Sequence, residues 1–403
     1  MKKISNYLLN FFLFLIIFDF TGDPIIRSYE ISLVQFEFYY KTLLSILFLI
    51  LLIFNFKLKN ILKKIYAPYL IICFIFFYGF FVGIINNNIF NALNELSGYL
   101  FILLTPIIVS IQGSSSISES SNDRFLKYIK ILTYVVLSKI VIYEFATLIF
   151  YGIPSYKILL KQTPLFLISF SILLEKIFKK ERGFNFLFLL TCFILFVALA
   201  RMIYLAMIFI FLIHFIKNFS FSNFKIQLRI IFILLFAFFL YIKIQSLEFS
   251  GTLERLYGSD VYEEGVDYRT TQFFVIIKRF FEFPLGAGFG YFTPNYLTYN
   301  ELAKPYLLEL DLLNFFSKIG LLFSLLYISA ILYIHSFLKS TIHPKNNRLF
   351  AYYIGIISLL IYSLGQTSHQ GYLYWVSFSI FYSYLVITNK SYKQYSYVVA
   401  INQ

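Results

Sequence analysis

The sequence predicts an all-α polytopic membrane protein of about twelve transmembrane helices, with one large outward loop late in the chain. Three observations carry this. Of the 403 residues, 60% are hydrophobic and only 13% charged, a balance that soluble domains do not reach. The apolar residues fall in runs long enough to cross a bilayer. Lys and Arg collect in the short connectors between those runs, as the positive-inside rule expects. The net charge of +14 therefore speaks for membrane topology and not for a nucleic-acid partner.

Taken in order, the candidate spans are 7–20, 36–55, 67–85, 92–111, 131–150, 163–178, 184–199, 202–217, 230–247, 311–334, 350–366 and 371–388. The start Met1-Lys2-Lys3-Ile4 resembles a signal peptide, but no small-residue cleavage site follows, so an uncleaved first span is expected. The stretch 184–218 would make a helix of about 50 Å, against a hydrocarbon core of about 30 Å, so a break near Ala198–Arg201 is expected. With that break and an inner N-terminus, 21 of the 34 Lys and Arg lie in inner segments and nine in outer ones. Both termini are then inside and the stretch 248–305 faces out. This divides the chain into a membrane bundle (1–247), an outer loop (248–310), a second bundle (311–390) and an inner tail (391–403). Ser114–Ser121 reads as a flexible inner connector. Cys73 and Cys192 lie in apolar runs, which argues against a structural disulfide.

The loop is the one long departure from apolar sequence. Asp267 is placed to cap a helix over 268–283. At 100° per residue, Phe273, Phe274, Ile276, Ile277, Phe280 and Phe281 share one face, and Thr271, Gln272, Lys278, Arg279 and Glu282 the other. This predicts a helix along the membrane surface with Lys278 and Arg279 on its wet side. Pro284 ends it. The turn Gly286-Ala287-Gly288-Phe289-Gly290 then offers backbone N–H groups to a phosphate, or is simply a turn.

Candidate site residues follow from where charge is costly. Arg269 falls on the apolar side of the loop helix, and Arg201 sits at the outer end of two spans; each is either a ligand-gripping cation or an interfacial anchor. Two such guanidinium groups would suit a diphosphate. Glu309 and Asp311 lie two apart, so on a helix they diverge by about 200° and one at most serves as a general base. Asp311 also suits the start of the tenth span, which makes Glu309 the preferred base. His369, in an outer connector, is a hydrogen-bonded surface histidine or a sugar contact. Lys139, Glu144 and Lys318 fall within spans, where pairing or cavity lining is expected. No metal-ligand spacing, Ser/His/Asp grouping or phosphate-binding loop is legible.

The arginine at the span junction (Arg201), then Arg269, an amphipathic stretch, Pro284-Leu285-Gly286-Ala287-Gly288, and a polar residue leading to a glycine (Glu309 to Gly320) together resemble the O-antigen ligase/polymerase superfamily of bacterial envelope glycosyltransferases. The resemblance covers most of the chain. Ligases of that superfamily carry a His where this chain has Glu309, so it looks most like Wzy-type polymerases of O-antigen or capsule repeat units. The resemblance implies a fold similar to GT-C glycosyltransferases in the bacterial inner membrane, with the loop in the periplasm. It implies transfer from an undecaprenyl-diphosphate-linked glycan to a sugar hydroxyl, with neither nucleotide sugar nor metal. Arg201 and Arg269 would hold the diphosphate, with Lys278, Arg279, Gly286, Gly288 and His369 as further substrate contacts. A chain-length regulator and a flippase are the protein partners it suggests. The rival readings are an O-antigen ligase, a lipid-linked-oligosaccharide flippase and a scaffold. A flippase would show two similar halves and short loops.

Overall fold

The computed structural model describes residues 2–17, 32–55, 63–112, 130–138, 140–142, 163–181, 183–197, 201–218, 224–246, 259–291, 310–341, 347–364, 374–379 and 382–383. Among them all regular structure is helical. The helices are α1 (Lys2–Ile17), α2 (Ser32–Asn55), α3 (Lys63–Asn86), α4 (Ile89–Tyr99), α5 (Leu104–Gln112), α6 (Thr163–Phe178), α7 (Phe184–Val197), α8 (Arg201–Lys217), α9 (Phe224–Ser246), α10 (Ser259–Glu282), α11 (Asp311–Thr341) and α12 (Asn347–Ser363). A 3₁₀ turn, Leu100–Leu103, joins α4 to α5. Short helical pieces also lie at 130–138, 140–142, 374–379 and 382–383.

Among the described residues, three helical stretches are long and apolar enough to cross a membrane: Tyr66–Asn86, Ile89–Ile111 and Leu312–Phe337. Shorter apolar helices include Ile4–Leu15, Leu43–Asn55, Phe184–Phe196, Met202–Lys217 and Tyr353–Ser363. The chain is thus helical and built for a membrane, as composition requires.

α7 and α8 are not one straight helix. In one straight helix, positions 196 and 204 would lie about 12 Å apart along the axis. Instead the Tyr204 hydroxyl donates to the Phe196 carbonyl at 2.9 Å, and the two rings are 5.7 Å apart.

Packing does not follow sequence order. α3 runs along α11, which follows the loop, while α12 lies against α6 and α8, and α7 bridges α6 and α9. Ser379 donates to the Phe101 carbonyl at 2.9 Å, so the late helical piece lies against the 3₁₀ turn. An aromatic core joins these elements: Phe76, Tyr99, Phe289, Phe315, Tyr327 and Trp375, with centroids 4.7–6.3 Å apart. Phe289 comes from the glycine turn, so that turn is plugged into the bundle core.

Two expectations for the loop helix need correction. α10 begins at Ser259, so Asp267 is an interior residue and not its cap. Val261, Tyr262, Glu263 and Glu264 continue the helix upstream, with Gly265 tolerated inside it. The orientation of its faces also differs. Gln272, Ile276 and Arg279 are buried, while Phe274 and Phe281 are 64% and 81% exposed. The buried stripe runs through Gln272, Ile276 and Arg279, drawing on both expected faces, while Phe273, Phe274 and Phe281 of the apolar arc and Thr271, Lys278 and Glu282 of the polar one are exposed.

Candidate functional site

The site grows from a break in α11. Gly320 has φ 80° and ψ 167°, which no continuous helix allows. The break releases the carbonyls of Ser317 and Lys318 from their helical donors four residues on. The glycine turn takes them: the N–H of Ala287 donates to the Ser317 carbonyl at 3.2 Å and that of Gly288 to the Lys318 carbonyl at 2.9 Å. In exchange the Leu321 N–H donates to the Pro284 carbonyl at 3.3 Å. Pro284–Gly290 and Gly320, two motifs thirty residues apart in the chain, are therefore two halves of one contact.

Neighbouring helices complete it. The Phe289 N–H donates to the Gly79 carbonyl at 2.9 Å. The Tyr78 hydroxyl donates to the Leu285 carbonyl at 2.6 Å, and the Asn87 amide to those of Ala287 and Phe289 at 2.9 and 3.2 Å. Gly79 lies about 10 Å along α3 from its end at Asn86. Non-helical backbone at that level is tolerated only when buried and bonded within the protein, and this turn is both.

The turn is consequently not a phosphate nest. The N–H of Gly286 bonds Phe283, those of Ala287, Gly288 and Phe289 bond carbonyls of α11 and α3, and that of Gly290 bonds the Glu95 carboxylate at 2.7 Å. Gly286 and Gly288 serve backbone-to-backbone packing, which corrects their reading as substrate contacts. The reason is tertiary: the donors meet the carbonyls that the Gly320 break sets free.

Glu95 also holds the Lys318 ammonium with both oxygens, at 2.8 and 2.9 Å, and both side chains are 0% exposed. Lys318 is thus paired, one of the two outcomes expected of it. Glu95 was missed as a site residue, though an acid inside an apolar run was the signal that could have found it.

One turn away lies Arg279, 2% exposed and not on a wet face. Its Nη1 donates to Asn314 Oδ1 at 2.9 Å and to Ser317 Oγ at 3.3 Å. The guanidinium carbon stands 4.5 Å from the centre of the Tyr291 ring, a cation–π arrangement. Burial pushes this group down from its ordinary value, while Tyr291, Glu95 and Glu282 push it back up. Arginine keeps its charge under such shifts. Lys278, by contrast, points outward at 77% exposure and pairs with Glu282 at 3.5 Å. That pair is a surface contact of little energetic consequence.

α11 starts at Asp311, as the sequence implies, and the Asn314 N–H bonds the Leu310 carbonyl. The backbone of Arg201 opens α8, and Arg269 lies within α10, about 15 Å along the helix from Arg279. The side chains of Arg201, Arg269 and Asp311, and Lys139, Glu144, Glu309 and His369 entirely, lie outside the described residues. The cap expected from Asp311 and the meeting of Arg201 with Arg269 lie there too.

A Ser/His/acid grouping does exist, contrary to the sequence reading. Ser171 Oγ lies 3.0 Å from His214 Nε2, and His214 Nδ1 lies 3.1 Å from Glu175 Oε2. It escaped notice because His214 is brought in from a separate helix. It is not a nucleophilic triad: the Ser171 hydroxyl donates to the Ala351 carbonyl at 2.7 Å, and all three side chains are buried. It ties α6, α8 and α12 together. No group of His, Cys, Asp and Glu suited to a metal occurs among the described residues. No family model matches the chain, and no curated protein or solved structure does either.

Proposed function

We propose that the chain is a bacterial inner-membrane glycosyltransferase that polymerises undecaprenyl-diphosphate-linked repeat units into O-antigen or capsular polysaccharide on the periplasmic side. The carrying observation is Arg279: a buried cation from the loop helix seated on Asn314 and Ser317, at most two turns from Asp311. Arg279 thus meets the first turns of the helix that Asp311 opens, which supports a pairing of cation and acid of the kind that diphosphate departure and hydroxyl activation require. Arg279 joins Arg201 and Arg269 as a diphosphate contact.

In this reading an acceptor sugar hydroxyl attacks the anomeric carbon of the donor glycan. The carbon–oxygen bond to the lipid diphosphate breaks, and its electron pair leaves with the phosphate oxygen. Arginines offset that charge, and Glu309 takes the hydroxyl proton. No metal ion is required by these residues, and the lipid-linked donor supplies the activation.

Purified protein given one synthetic lipid-linked repeat unit is expected to form a ladder on a gel. A single transfer to a different acceptor would favour a ligase, and no covalent product a flippase. Arg279→Lys should cut ladder formation by about 10²–10³-fold at normal membrane levels, since the guanidinium fork is lost. Lys278→Ala should stay near wild type. An active Arg279→Lys enzyme would remove Arg279 from the site.

The proposed topology has twelve spans, with both termini cytoplasmic. A cysteine placed at Ser259 should be labelled from outside, and one placed at Lys180 should not. The reverse pattern would put the loop on the wrong side for this reaction.

A further inference from the structure

Arg279 takes its seat from Ser317 and Tyr291, and neither of these is held by regular structure alone. Ser317 lies in the last turn before the Gly320 break, where its carbonyl has left the helical ladder. Tyr291 is the residue after the turn. Each adjoins a residue bound by one carboxylate: Lys318 beside Ser317, and Gly290 beside Tyr291. That carboxylate belongs to Glu95, which accepts from the Lys318 ammonium with both oxygens and from the Gly290 N–H with Oε2.

We propose that Glu95 and Lys318 are positioning residues for Arg279: the pair sets the distance between the two walls of the guanidinium's seat. The inference rests on reading Arg279 as the cation that meets the ligand's phosphates. It separates from a purely structural role because Glu95 has two jobs. Pairing with Lys318 needs opposite charges in either order. Accepting from Gly290 needs an oxygen at position 95.

The charge swap E95K/K318E restores the first job and removes the second. A structural role alone predicts that the swap recovers both stability and site geometry. Positioning predicts that it recovers the stability lost with the ion pair and leaves Arg279 misplaced, because an ammonium then faces the Gly290 N–H.

The test uses full-length protein in phosphatidylcholine nanodiscs. Thermal midpoint reports the fold. Phenylglyoxal modification of Arg279, read by mass spectrometry, reports its burial, and protection by undecaprenyl diphosphate reports ligand affinity. The swap is expected to melt above either single variant but short of wild type by the lost Gly290 bond, to be modified faster, and to bind undecaprenyl diphosphate about tenfold more weakly, a change of about 1.4 kcal/mol. Wild-type modification and affinity in a folded swap variant would overturn the proposal. Should the swap not fold, E95Q/K318M makes the complementary comparison, keeping an oxygen for the Gly290 N–H and removing the ion pair, and Glu95→Asp shortens the reach to both: changed Arg279 reactivity supports positioning, and wild-type reactivity refutes it. If wild-type protein forms no polymer while Arg279 reactivity still follows the pair, the glycosyltransferase reading fails and the positioning role stands. Polymer formation with unchanged reactivity fails positioning alone.

Discussion

Glu95→Gln and Lys318→Met, each alone, should destabilise the protein by about 3–5 kcal/mol, because each strands the other partner as an uncompensated buried charge. Both side chains are fully buried and doubly bonded, so no solvent screens the loss. Glu95 has the further burden of the Gly290 N–H, so Glu95→Ala should be worse than Glu95→Gln, whose amide oxygen still accepts. The neutral double variant E95Q/K318M should recover most of the loss, since a buried ion pair exchanged for neutral groups of similar volume is often close to neutral. Denaturant or thermal unfolding in detergent reads all four. A double variant no more stable than the worse single one would contradict an ion pair between these residues.

Gly288→Ala should collapse the stitch between the turn and the bundle. A Cβ there would stand 2.4 Å from the Gly83 nitrogen and 2.6 Å from its Cα, both backbone atoms that cannot swing aside. The position also has φ +83°, which costs an L residue about 1–2 kcal/mol. Forcing the backbones apart breaks the bonds to the Lys318 and Gly79 carbonyls, and each unsatisfied buried group costs about 1–3 kcal/mol. The total is about 3–8 kcal/mol, comparable to the whole stability of many domains. Gly183→Ala is the matched control: its φ is +88°, but a Cβ there meets nothing within 4 Å. It should cost only the dihedral strain, about 1–2 kcal/mol. Limited proteolysis after Lys278, together with thermal unfolding, distinguishes the two. Equal effects would mean that strain, and not the close approach to α3, explains the glycine at 288.

What the amino-acid sequence determines by itself is what local composition controls. Apolar runs need a helix to satisfy their backbone in lipid, so the helices of α3, α4 with α5, and α11 are legible as periodicity and length. The separation of α7 from α8 is legible because a single helix would overrun the bilayer. So is the start of α11 at Asp311, where an apolar run begins after polar residues. The side on which a residue ends up is not local. Arg279 looks solvent-facing on a helical wheel beside Lys278 and Glu282, yet its guanidinium is buried because Asn314, Ser317 and Tyr291 supply partners that its own helix lacks. The glycine turn looks like an anion cradle until the Gly320 break presents it with open carbonyls thirty residues downstream. Glu95 and Lys318 stand 223 residues apart and make sense only as a pair. A helix's periodicity gives the angle between its residues, but the partner that rewards burying a charge comes from another element. Only the tertiary structure decides which face of a helix is inside.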